Sequence, residues 1–88
     1  MTYRVIQITE GKQPTVWCTA DDFKFLCKFC QYHIDSCIPE GLDSFWVFET
    51  KDPDDKGFEV PERKWKFLEF CEQQGIRKRT FEERMKDA

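Results

Sequence analysis

Laid over itself at a constant offset of 42 residues, the chain matches without a gap, and that register constrains its fold more than any other feature. Phe23-Lys24-Phe25-Leu26 falls on Trp65-Lys66-Phe67-Leu68. Tyr3-Arg4-Val5-Ile6-Gln7 falls on Phe45-Trp46-Val47-Phe48-Glu49, and Gln31 and Ile34 fall on Gln73 and Ile76. Self-similarity at a fixed period is what two copies of one supersecondary unit leave in a sequence. Two unrelated amphipathic units of one type would also share some residues, so the match carries two readings. The first predicts pseudo-repeats at residues 1–37 and 43–76 within one domain, 1–88.

Local signals fill in the unit. Thr2 to Thr9 carries Tyr, Val and two Ile and stops at Glu10-Gly11, and Thr15 to Thr19 resumes after Pro14 with Val, Trp and Cys, which reads as a hairpin. Thr19 is the expected N-cap of a helix running to about Cys37, with Asp21 and Asp22 in its first turn and Pro39 and Gly41 at its end. Phe45, Trp46, Val47 and Phe48 in succession suit a strand covered on both faces. The turn from Asp52 to Gly57 leads to an expected return strand at Phe58 to Val60, Pro61 opens a second helix and Gly75 closes it. Thr80-Phe81-Glu82-Glu83 has the spacing of a capping box and predicts a C-terminal helix over 79–87.

The expected fold is therefore α+β, in the order ββα-ββα-α. Its four-stranded, mainly antiparallel sheet has the order 2-1-3-4, with two helices packed on one face. A β-grasp-like ββαββ unit with parallel central strands fits the same signals. A chain of 88 residues hides a smaller share of its surface than a larger domain, and this one compensates with rings: nine Phe, three Trp and two Tyr. The first nine residues alternate polar and apolar character, unlike a signal peptide, and five cysteines fit reduced thiols, so the chain is expected to be cytoplasmic.

Cys27-x2-Cys30-x2-His33-x3-Cys37 has the look of a zinc site. On a continuous helix, however, its ends lie about 15 Å apart, whereas zinc ligands sit about 2.0–2.3 Å from the ion. The cluster shares a face with Phe23, Leu26 and Ile34, so it reads as core stripe, with His33 and Cys37 left as a candidate metal pair. A catalytic thiol or a redox Cys27-x2-Cys30 pair would need a helix N-terminus or an oriented base, and neither is evident. No cofactor, metal or enzymatic activity is expected.

Phe25, Phe29 and Tyr32 form a second apolar stripe on the first helix. A helix with two stripes needs two neighbours: Phe67 on the second helix is one candidate, and another protein is the other. Both faces of the sheet carry apolar residues too, and the C-terminal helix with Phe81 and Met85 is expected to cover part of the excess. The chain is thus expected to be a small intracellular, non-enzymatic protein-interaction module of the inhibitor or adaptor type. It would bind another protein or a second copy of itself through Phe25, Phe29 and Tyr32. With a net charge of −3, nucleic acid is disfavoured. The alternative is a nucleic-acid-associated regulator using Arg63, Lys64, Lys66 and Arg77 to Arg79, whose intervening glutamates also suit a solvated helix face.

Overall fold

A computed structural model describes residues 1–37 and 39–86, apart from the side chains of Pro39 and Glu40. The expected helix end at Asp87, and Ala88 beyond it, lie outside the described residues. Strands β1 (Thr2–Gln7) and β2 (Thr15–Ala20) form the first hairpin, and α1 (Phe23–Ser36) follows. The second half runs through β3 (Phe45–Thr50), a short helix α2 (Asp55–Glu59), β4 (Arg63–Lys66) and α3 (Phe67–Gln73), and α4 (Phe81–Lys86) ends the described chain.

The sheet has the order β2-β1-β3-β4 and is antiparallel throughout, which excludes the β-grasp-like alternative. Val5 pairs with Val47, flanked by Arg4 with Phe48 and Ile6 with Trp46, so the central pairing is centred on the two residues that the 42-residue offset superposes. Residues alternate across a strand, and Tyr3, Val5 and Val47 consequently share one face. Leu26, Cys30 and Ile34 from α1 and Phe67, Phe70 and Cys71 from α3 pack onto that face in one buried cluster. Burying rings and branched side chains there contributes about 1.5–3 kcal/mol for each large residue.

The duplication itself is not confirmed, because the halves diverge after Thr50. Phe58, expected in a return strand, lies in α2 instead. Gly57 lets α2 fold back: a Cβ there would lie 2.1 Å from the Asp52 carbonyl oxygen and 2.7 Å from Thr50 Oγ1. Pairing resumes where the Glu62 amide donates to the Glu49 carbonyl at 2.9 Å, and Arg63–Lys66, expected in a helix, forms the fourth strand. Trp65 and Lys66 are thus strand residues, whereas Phe23 and Lys24 begin a helix. Phe25 and Phe67 are not in equivalent environments either: Phe67 is fully buried and Phe25 is exposed.

The helix-end signals fare unevenly. The N-cap of α1 is Asp22, whose Oδ1 accepts from the Lys24 amide at 2.9 Å, and not Thr19, which stays in β2. Gly75 does close α3. With φ at 70°, it lets its own amide reach the Glu72 carbonyl and the Ile76 amide reach the Cys71 carbonyl at 2.8 Å, the paired bonds of a Schellman ending. The capping box forms as well: the Glu83 amide donates to Thr80 Oγ1 at 3.2 Å and the Thr80 amide to Glu83 Oε1 at 3.3 Å.

Candidate partner-binding surface

An α-helix turns by about 100° per residue, so the two flanks of α1 can be followed separately around its buried stripe. Cys27, Gln31 and Asp35, four residues apart, make the inner flank. Gln31 Nε2 donates to the Arg77 carbonyl at 2.6 Å and to Asp35 Oδ1 at 3.1 Å. Asp35 is buried and accepts from the Arg79 amide at 2.8 Å and from the guanidinium Nε and Nη2 at 3.1 and 2.9 Å. Burial alone would raise the Asp35 carboxyl, but these bonds outweigh it and hold the group below its ordinary value. The segment after α3 is thereby tied to α1, and an Arg77–Glu83 pair, which holds Glu83 down to about 2, fastens α4.

Phe25, Phe29 and Tyr32 follow at i, i+4 and i+7 and make the outer flank, although Tyr32 sits on the crest of the helix and also borders a cleft with Gln31, Asp35, Arg79 and Arg84. Phe25 is 53% exposed and Tyr32 69% exposed, while Phe29 is half-buried and stacks on His33, with ring centroids 5.5 Å apart and planes 14° apart. The structure therefore keeps these three residues on one helix side, two of them open to solvent.

Trp17, which the sequence did not single out, joins them. Along β1–β2, Val5 pairs with Cys18 and the next residue, Ile6, with Val16, so Trp17 is the extra residue of a bulge. Strict alternation would put Trp17 on the opposite face from Cys18. The bulge turns it to the helix side instead, where its ring lies 5.5 Å from His33 and 5.4 Å from Phe45, and its Nε1 donates to Gln7 Oε1 at 3.1 Å. Trp17 remains 49% exposed, and its ring and that of Phe29 both rest on His33.

His33, only 6% exposed, sits among four rings: Trp17, Phe29, Phe45 at 4.7 Å and Phe67 at 5.4 Å. Its Nε2 has no hydrogen-bond partner, and burial holds its pKa below 6.5, so the ring is neutral at pH 7. Cys37 Sγ lies 4.0 Å from Nδ1. Cys30 points the other way, against Cys71 of α3; that hydrogen bond, with burial, pushes its thiol far up, and burial also raises Cys18 and Cys27. Among the described residues, no three His, Cys, Asp or Glu side chains are grouped to hold a metal ion.

The basic residues do not gather on one surface. Arg63 pairs with Glu49 at 3.4 Å, Arg77 with Glu83 and Arg79 with Asp35. Lys64 and Lys66 are exposed on the other sheet face, in register with Phe48 and Trp46. That face is partly covered, though not by α4, whose Phe81 and Met85 are both exposed. Phe58 of α2 covers it, buried beneath the Arg4 guanidinium, which lies 3.9 Å from the ring centroid and bonds Asp55 at 3.3 Å. A shallow cleft of about 560 Å³ remains between α2 and the hairpin, floored by Ile6, Val16 and Phe48.

No described helix is long and apolar enough to cross a membrane. No family model, no curated protein and no solved structure matches the chain.

Proposed function

We propose that this chain is a non-enzymatic protein-interaction module, of the inhibitor or adaptor kind, that holds its partner on the outer flank of α1. Phe25, Phe29 and Tyr32 supply the contact, and Trp17 extends it. The observation that carries this reading is the asymmetry of one helix. On its inner flank Gln31 and Asp35 are bonded to Arg77 and Arg79, while its outer flank presents Phe25 and Tyr32 to solvent. Aromatic rings at the centre of a surface patch are the residues on which protein interfaces most depend. The enclosure of His33 by rings supports a binding role over acid–base chemistry. Five free cysteines suit a reducing compartment, and we place the protein in the cytoplasm.

The test is capture from extract of the source cells by the wild-type chain, Phe25→Glu and a control, Phe81→Glu on α4, followed by titration of the captured protein. A partner lost with Phe25→Glu and kept with Phe81→Glu supports the reading, provided the circular dichroism is unchanged. A partner bound equally well by Phe25→Glu overturns it.

A nucleic-acid-associated role has one supporting observation, the placing of Lys64 and Lys66 beside Phe48 and Trp46 on the second sheet face, where bases would stack. Such binding would weaken steeply with added salt and would be lost in a Lys64→Ala, Lys66→Ala double variant.

A further inference from the structure

The outer flank of α1 lies beside one edge of the sheet, where Trp17 and Phe29 both rest on His33. The edge is β2. It pairs with β1 on one side, and among the described residues no strand pairs with the other. Thr15-Val16-Trp17-Cys18-Thr19-Ala20 carries no charge, and Val16, 48% exposed, and Trp17 stand on opposite faces of it. An open edge offers a row of backbone donors and acceptors to another strand, and proteins that leave such an edge unpaired usually guard it with charge.

Resting on the reading of the outer flank as a contact surface, we propose that its occupant is a second copy of this chain, joined by antiparallel pairing of the two β2 strands across a twofold axis. The sheet would continue through eight strands, with the two α1 helices side by side over the seam.

Three observations favour a copy over a different protein. In a twofold interface each residue meets its own surface patch, so a charge near the axis would face its like. The β2 edge has none, and Phe29, which stacks on the His33 ring that Trp17 also touches, is uncharged too. The β4 edge, Arg63-Lys64-Trp65-Lys66, would set three positive charges against three and cannot pair with itself in this way. The second observation is area. The exposed parts of Val16, Trp17 and Phe25, with Phe29 and a six-residue strand edge, come to on the order of several hundred Å² per copy. Standard interfaces bury about 800 Å² per partner, so the seam approaches what a specific dimer needs. The third is placement: the bulge at Trp17 brings that ring onto the helix side, so strand pairing and ring burial occur on the same side of the molecule.

The experiment uses the purified chain alone, followed by sedimentation equilibrium over about 5 to 500 µM, a range that brackets micromolar affinities. Amide hydrogen exchange at both ends of that range accompanies it. The expected result is a monomer–dimer equilibrium in which amides within Thr15–Ala20 gain protection with concentration and those of Arg63–Lys66 do not. Val16→Lys, at an exposed position, should keep the thermal midpoint and weaken the dimer by about tenfold or more, because each copy then carries a charge on the strand edge that must pair. A monomer throughout the range overturns the proposal, as does a dimer indifferent to Val16→Lys with no change in β2 exchange. If the chain stays monomeric while capture from extract still depends on Phe25, the pairing is refuted and the contact surface stands. If a dimer forms through β2 while capture ignores Phe25, the proposed function is refuted instead.

Discussion

The two edges of the sheet meet the same hazard in opposite ways. At β4 the strand is short and three of its four residues are charged, and beside it α3 buries Phe67, Phe70 and Cys71 almost completely. At β2 the strand is longer and uncharged, and α1 beside it leaves Phe25 and Tyr32 in solvent. Exposed backbone edges and exposed rings each favour association, and a protein that guards one edge with lysine and arginine has the means to guard the other. The second half of the chain thus closes the fold, whereas the first half leaves an uncharged edge and exposed rings.

Substitutions can break or sharpen this contrast. The largest effect is expected between the two phenylalanines that the 42-residue offset superposes. Phe67→Ala should cost about 3–5 kcal/mol in denaturant unfolding because it empties a fully buried site, and Phe25→Ala should stay within about 0.5 kcal/mol. Similar costs for both would mean that the outer flank is core after all.

Next comes the inner flank. Asp35→Ala removes a buried carboxylate with three bonds to Arg79 and should cost about 3 kcal/mol, measured in the same way. A change below about 1 kcal/mol would show that the segment after α3 is held by something other than this pair.

The pH dependence follows from His33 and Asp35. His33 has a folded pKa below its unfolded 6.5, so the unfolded chain binds more protons as pH falls. Stability should be complete above 6.5 and decline below it, and His33→Gln should flatten that window. Asp35 is also depressed, below 3.8, so its contribution should persist lower and disappear only as pH falls beneath 3.8 through the folded value. A thermal midpoint that rises between pH 7 and pH 5 would contradict the first assignment.

The smallest effect is expected on α4, whose apolar residues face solvent: Phe81→Ala and Met85→Ala should each change stability by less than about 0.5 kcal/mol. A large loss would mean that α4 covers apolar surface.

What could be read in the sequence follows from the range over which each signal acts. The span of α1, the Gly75 ending and the Thr80 to Glu83 box depend on residues a few positions apart, and all three are present; the sheet order, which joins Val5 to Val47, was legible only through the 42-residue register. The stretch from Phe58 to Lys66 was misplaced because its alternation suits either strand or helix, and the choice is made elsewhere. Phe58 is drawn under Arg4 from β1, and Gly57 permits the fold-back against Asp52. Phe25, Phe29 and Tyr32 were legible as a stripe but not as exposed, since exposure depends on which side of α1 meets α3. Trp17 carried no usable signal at all: a bulge in one strand, set by pairing with another, decides which face it joins.

The central claim, that the outer flank of α1 is a contact surface, is tested most directly by site-specific photo-crosslinking in living cells. A photoreactive phenylalanine analogue is placed at Tyr32 in one variant and at Phe81, equally open but on α4, in another. The account predicts a discrete crosslinked protein, a second copy or another chain, from position 32 and none from position 81. Crosslinking from position 81 with none from position 32 would contradict it.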